Sequence, residues 1–208
     1  MDYPILGRVI PPVIGLWIKR ITGVENIPKN GSYIVAANHA SYIDHLILSS
    51  IIVTHTGKKI HYLAKKEHFE TVFQRLWHEH VGAIPTDREK GGKKALKTAI
   101  KYLKNDKIIS IYPEGTRTLT GKLNPGKTGI ARLVMEAKVP VLPIGLIGTF
   151  KILPKGKRIP RFTRAQVRIG KLMYFDNYRK DYKSLRKITD NIMLKIAELC
   201  KQKYTVPK

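Results

Sequence analysis

The 208-residue sequence predicts an α/β domain with a largely parallel central sheet flanked by helices. Three observations predict it. Short apolar runs alternate with longer stretches of helical periodicity. Hydrophobic residues make up 43% of the chain, enough for a real core and too many for disorder. No repeat, low-complexity tract or interdomain linker interrupts the alternation, so a single core serves one domain.

The elements follow in order. Tyr33-Ile34-Val35-Ala36-Ala37 predicts the first strand, and further apolar runs predict strands over 60–64, 81–84, 107–112, 140–147 and 166–172. Helical periodicity predicts helices over 42–53, 66–80, 90–104, 128–137 and 182–201. Ser41-Tyr42-Ile43-Asp44 resembles a capping box with Ser41 as N-cap. Gly91-Gly92 and Asn105-Asp106 bracket one helix, and Pro125-Gly126 precedes another. The segment 151–164 reads as a basic, proline-containing loop.

Charge is the second signal. Lys and Arg number 39 against 15 Asp and Glu, a formal charge of +24 with a pI near 10.2. Such a surface favours polyanions: nucleic acid, an anionic membrane, or acidic partners and substrates. A lysine-rich proteome would also raise the charge. The clustering argues for a functional face on top of that, because no acidic residue lies between Ala137 and Phe175. Cys200 is the single cysteine, so no intrachain disulfide forms, which fits a reducing compartment. It lies in a helical pattern without the features of a nucleophile.

The N-terminus does not read as a signal peptide: its first charge is Asp2, and no small-residue cleavage site follows the apolar part. The apolar run 9–18, broken by Pro11-Pro12, is too short to span a bilayer, which takes about 20 residues. It suits a membrane interface, with Ile14, Leu16, Trp17 and Ile18 immersed and Arg8, Lys19 and Arg20 at the headgroups. The competing reading is a helix packed on the core.

Two polar clusters end apolar runs. In Asn38-His39-Ala40-Ser41-Tyr42-Ile43-Asp44, a histidine and a carboxylate stand five apart. On one helix five residues rotate by about 140° and the side chains diverge; on a strand they face opposite ways. They meet only if His39 sits on a turn and Asp44 begins the next helix. A carboxylate there also stabilises a helix start without any catalysis. Bonded to one imidazole nitrogen, it fixes the tautomer and leaves the other nitrogen as a base. Ser41 is better placed as a cap than as a nucleophile, since no G-x-S-x-G elbow is present.

The second cluster is Pro113-Glu114-Gly115-Thr116-Arg117. Gly115 permits positive φ and close backbone approach, and successive N–H groups there suit an anion-binding nest. Arg117 offers a fork for phosphate, and Glu114 is placed to anchor that fork or Arg88. The bland alternative is a tight turn with an exposed ion pair. Arg88, following the predicted strand 81–84, is the second phosphate candidate.

These residues carry a resemblance. The sequence is similar to the glycerolipid acyltransferase family typified by 1-acyl-glycerol-3-phosphate acyltransferases, over nearly the whole stretch 22–172. Four blocks stand in the family's order: Asn38-His39 through Asp44; Gly82 through Arg88; Glu114-Gly115-Thr116-Arg117; and Val139-Pro140-Val141-Leu142-Pro143-Ile144. The H-x-x-x-x-D spacing alone is weak, but four blocks in order are specific.

The resemblance implies transfer of an acyl group from a thioester, acyl-CoA or acyl-ACP, to the free hydroxyl of 1-acyl-glycerol-3-phosphate, giving phosphatidate. It implies His39 as general base with Asp44 as its orienting partner. Arg88 and Arg117 contact the acceptor phosphate, and Glu114, Gly115 and Thr116 shape the acceptor site. Lys65 matches a family lysine placed to stabilise the oxyanion. Direct attack needs neither metal nor cofactor. Pro140 and Pro143 either shape a strand at the acyl pocket or mark an edge strand. Pro85-Thr86 departs from the apolar residues many members carry in the second block, which puts the acceptor's identity in doubt. The expected organisation is a membrane-associating segment 1–21 and an acyltransferase domain 22–208. Such a protein is peripheral or monotopic at the cytoplasmic face of the cell membrane, on an anionic lipid surface. Segment 151–171 then reads as a face for anionic lipid or acidic acyl carrier protein. The alternatives are an acyltransferase for glycerol 3-phosphate or another lysolipid and, from charge alone, a nucleic-acid-binding module. No nucleic acid is expected, because no nucleic-acid motif is present and the aromatics are not interleaved with the basic run.

Overall fold

Ile34, Val35, Ala36 and Ala37 have no solvent exposure, which is what an apolar run without alternation produces when helices cover both faces of a sheet. The computed structural model describes residues 6–86, 92–176, 178–179 and 181–207. Its strands are β1 (Ile18–Thr22), β2 (Ile34–Ala37), β3 (Ile60–Lys65), β4 (Ala83–Thr86), β5 (Ile108–Ile111), β6 (Val141–Ile147) and β7 (Ala165–Ile169). Its helices are α1 (Leu6–Gly15), α2 (Asp44–Thr56), α3 (Val72–His80), α4 (Lys93–Lys104), α5 (Gly129–Ala137), α6 (Thr149–Ile152) and α7 (Tyr182–Cys200).

The strands form one sheet in the order β1-β7-β6-β2-β5-β3-β4. Strands β2 to β6 run parallel to one another, β7 runs antiparallel to β6, and β1 runs parallel to β7. The largely parallel sheet is as the sequence predicts. One core, with Val35, Ile47, Ile52 and Leu142, lies on the α2 face. The other, with Ile34, Ala99, Ile130 and Ile192, lies on the face covered by α4, α5 and α7.

Two elements differ from expectation. Residues Ile18–Thr22 form an edge strand, so a boundary between 21 and 22 falls inside the sheet. Lys19 and Arg20 are its exposed residues, and charge is well tolerated on an edge. The helix expected over 66–80 is split into a 3-10 turn, Lys66–Phe69, and α3. A reciprocal cap causes the break: Gln74 N–H donates to the Thr71 hydroxyl at 3.1 Å, and Thr71 N–H donates to the Gln74 carboxamide at 3.2 Å. Of the two readings of Pro143, the edge strand is excluded: β6 lies between β7 and β2. That residue stands where the ladder with β7 begins, and its carbonyl accepts Gly170 N–H at 2.9 Å.

The N-terminal run also divides its side chains. Ile14 is buried in the α2-face core, with Trp17 and Ile18 packed against it, whereas Val13 and Leu16 are exposed. No helix among the described residues is long and apolar enough to cross a membrane.

Candidate active site

Strands β2 and β5 are parallel neighbours, so the segments that follow them leave the same edge of the sheet side by side. Open α/β sheets bind ligands outside this carboxyl edge. The segment after β2 carries His39; the segment after β5 carries Tyr112 through Arg117. Lys65 ends β3, the next parallel neighbour, and so stands on the same edge, exposed to solvent. Arg88 lies outside the described residues.

His39 sits on the turn and Asp44 begins α2. Asp44 Oδ2 lies 2.9 Å from His39 Nδ1 and also accepts the N–H groups of Ala40 and Ser41 at 2.8 and 2.7 Å. Asp44 is fully buried, while the His39 side chain is 18% exposed. The carboxylate is therefore held by the turn it organises, and it accepts a hydrogen bond from Nδ1–H. That leaves Nε2 as the basic nitrogen. The Ser41 half of the expected capping box does not form. Ile43 occupies the N-cap, and the Ser41 hydroxyl donates instead to the Leu153 carbonyl at 2.8 Å.

The two clusters are stitched together through the backbone of His39. Its N–H donates to Glu114 Oε1 at 2.7 Å, and its carbonyl accepts Thr118 N–H at 2.9 Å. Glu114 Oε2 accepts Asn124 N–H at 2.8 Å. Glu114 thus spends both oxygens on backbone donors rather than anchoring the Arg117 fork, one of its two expected partners. It is 2% exposed, and burial pushes its carboxyl up to about 7, against the opposing pull of its two N–H partners.

Arg117 finds a different support. Its guanidinium carbon stands 3.3 Å from the centre of the Tyr42 ring, a cation–π arrangement. Among the described residues its Nη1 is buried with no hydrogen-bond partner. Gly115 adopts φ 73°, and the Lys127 side chain comes within 3.0 Å of where a Cβ would stand. The nest expected at Gly115 is incomplete, because Gly115 N–H already donates to the Tyr112 carbonyl at 2.9 Å. Thr116 is exposed beside it.

The family model described as Acyltransferase matches residues 19–147, more than half of the chain. The chain belongs to the acyltransferase family. The 1-acyl-sn-glycerol-3-phosphate acyltransferase of Bacillus subtilis (strain 168) is 32% identical to it over 141 residues, 66% of this chain and 68% of that protein. The 1-acyl-sn-glycerol-3-phosphate acyltransferase alpha of Ovis aries is 30% identical over 154 residues, 72% of this chain but 52% of the sheep protein. The crystal structure of the 1-acyl-sn-glycerophosphate (LPA) acyltransferase PlsC from Thermotoga maritima has the same fold. It matches with a TM-score of 0.75 at 24% identity, over 96% of this chain and 80% of that one.

Three residues of this acyltransferase carry structural work at the site that the sequence did not reveal. Tyr112 lays its ring on the His39 imidazole, with centroids 3.8 Å apart and planes 10° from parallel. Asn38 is buried and bridges to β6, donating to the Leu146 carbonyl at 2.9 Å and accepting Leu146 N–H at 2.8 Å. Cys200 donates to the same Asn38 oxygen at 3.1 Å, and burial pushes its thiol up to about 12, consistent with an inert cysteine. His45, next to Asp44, has its imidazole held down to about 4, because burial outweighs the Asp44 charge. For Asn38 and Cys200 only adjacency to the motif or to a helix face was visible; for Tyr112, only its place before Pro113.

Proposed function

We propose that this acyltransferase moves a fatty acyl group from a thioester donor, acyl-CoA or acyl-ACP, to the free hydroxyl of 1-acyl-glycerol-3-phosphate, giving phosphatidate. The observation that carries the reading is the 2.9 Å contact of His39 Nδ1 with a buried Asp44 that also accepts two backbone N–H groups. Such a pair is preorganised for general-base work, typically worth about 10²- to 10⁴-fold.

In this reading His39 Nε2 takes the proton of the acceptor hydroxyl as its oxygen attacks the thioester carbonyl. Asp44 steadies the imidazolium that forms. The tetrahedral oxyanion is met by Lys65 at the neighbouring strand end. Collapse breaks the carbon–sulfur bond, and the imidazolium returns the proton to the departing thiolate. Arg117, supported on Tyr42 with Nη1 unpartnered among the described residues, suits one face of the acceptor phosphate, and Arg88 is assigned the other. Glu114, Gly115 and Thr116 shape the acceptor site, Glu114 by fixing the His39 backbone. The names of the Bacillus subtilis and Ovis aries relatives support the acceptor.

The same reading sets the protein peripherally on an anionic membrane surface at the cytoplasmic face, with segment 1–21 as its associating part. The net charge of +24 supports this. The acceptor is tested with a radiolabelled thioester and a panel of 1-acyl-glycerol-3-phosphate, glycerol 3-phosphate and lysophosphatidylcholine. Preferred labelling of the first supports the reading; labelling of glycerol 3-phosphate alone replaces it.

A further inference from the structure

We infer that the loop between α6 and β7 is a second membrane-docking element, which sets Ile159 and Phe162 into the interface of an anionic bilayer. Ile159 is 82% and Phe162 94% exposed, although both side chains belong to types that are usually buried. Singly such residues need no explanation; together, on a basic loop, they mark a surface. The tip reads Lys157-Arg158-Ile159-Pro160-Arg161-Phe162, with Lys155 before it and Arg164 after it. No acidic residue dilutes this charge between Ala137 and Phe175.

An apolar tip ringed by cations complements a bilayer that contains anionic lipid. The apolar side chains enter the acyl boundary, and the cations meet the headgroups. A nucleic acid would match the cations but would give aliphatic Ile159 nothing to pack against. An acidic carrier protein would match the charge, and the test below separates it from lipid.

The loop is held in place at both ends. Near its C-terminal end, Trp17 Nε1 donates to the Arg161 carbonyl at 3.0 Å, and Arg164 Nε donates to the Leu16 carbonyl at 3.1 Å. The Phe162 ring stacks on Trp17, with centroids 6.3 Å apart and planes 12° from parallel. Leu16 is itself 61% exposed, so the tip and the N-terminal segment form one basic-rimmed apolar surface. At the other end the Leu153 carbonyl accepts Tyr42 N–H at 3.0 Å and the Ser41 hydroxyl at 2.8 Å. These donors belong to the turn that carries His39. Docking the loop therefore holds the catalytic turn close to the bilayer, where a lipid acceptor is found.

The inference rests on the membrane-surface reading of the proposed function, and its test is read separately from activity. The full chain and the double variant Ile159→Ser with Phe162→Ser are sedimented with vesicles of phosphatidylcholine, alone or mixed with phosphatidylglycerol. The wild type binds the mixed vesicles preferentially. The double variant partitions onto them about tenfold or more weakly, yet acylates a short-chain, monomeric 1-acyl-glycerol-3-phosphate at the wild-type rate. Equal sedimentation of variant and wild type overturns the inference. So does unchanged sedimentation with a raised KM for acyl-ACP, which makes the loop a carrier-docking surface. Absence of acyl transfer by both proteins would instead contradict the proposed function, and the sedimentation result would still decide the docking.

Discussion

The ring of Tyr112 lies flat on the imidazole of His39, 3.8 Å between centroids, and its hydroxyl is buried without a hydrogen-bond partner among the described residues. The stack and the Asp44 bond together fix the imidazole plane. Tyr112→Phe keeps the stack and removes an unsatisfied polar group, so activity stays within about twofold and stability is equal or higher, by up to about 1 kcal/mol. Tyr112→Ala frees the ring and lowers kcat by about tenfold or more. Parallel kinetics and denaturant melts check both.

Asp44→Asn replaces an oxygen-only acceptor by an amide. Asp44 Oδ2 alone accepts all three hydrogen bonds, so an amide oxygen in its place can accept them too, but without the negative charge that steadies an imidazolium and with an NH2 group where Oδ1 has no partner among the described residues. We expect kcat to fall by about 10²- to 10⁴-fold, together with a loss of roughly 1–3 kcal/mol in stability as the buried amide N–H groups go unpaired. Steady-state kinetics and urea unfolding on one preparation measure the two effects.

Arg117 rests on the face of Tyr42 at 3.3 Å. Tyr42→Ala removes that platform without touching the dyad. KM for the phosphate-bearing acceptor rises about three- to tenfold, consistent with a cation–π contact of roughly 0.5–2 kcal/mol, while kcat changes little. A larger effect on kcat than on KM would separate Arg117 from acceptor binding.

His45 gives a pH signature. Burial holds its folded pKa down to about 4, below the ordinary value of 6.5. Between those values the unfolded chain binds the extra proton, so stability rises with pH across this window. The contribution is complete above about pH 6.5 and is lost as pH falls through about 4. Glu114 acts oppositely. Its carboxyl is raised from 4.5 to about 7, so its contribution is present below pH 4.5 and lost as pH climbs toward 7. Each slope is at most about 1.4 kcal/mol per pH unit. The two overlap, so the His45 part is read by difference: His45→Gln loses less stability than wild type between pH 6.5 and 4 in urea titrations.

Gly145 in β6 lets α7 rest on the sheet. A Cβ there would stand 2.6 Å from the Leu199 carbonyl carbon and 2.8 Å from Cys200 N, both backbone atoms. Gly145→Ala must push the helix away, and we expect a cost of about 1–3 kcal/mol, visible as a lowered Tm. The Cys200–Asn38 bond lies beside this contact, so activity drops with it.

The central sheet was legible because β2, β5 and β6 are apolar runs buried on both faces, a pattern that needs no partner to be recognised. Strand β1 was not. Its Lys19 and Arg20 face solvent, and only pairing with β7, some 145 residues away, defines it. The dyad was legible for a local reason: His39 and Asp44 share one turn, so spacing constrains their geometry. The role of Glu114 was hidden, because it binds the His39 backbone across 75 residues of sequence. Backbone acceptors of this kind leave no side-chain pattern to read. Pro143 left two readings open for the opposite reason. A proline suggests an edge, but the ladder with β7 starts just past it, so its missing donor is accommodated.

In the proposed reaction His39, held by Asp44, deprotonates the acceptor hydroxyl. This step is tested most directly by transfer from a radiolabelled acyl thioester to 1-acyl-glycerol-3-phosphate, comparing wild type with a His39→Ala protein whose fold is verified by circular dichroism. The expected result is a loss of about 10²-fold or more in kcat with folding intact. Wild-type turnover by His39→Ala would contradict it.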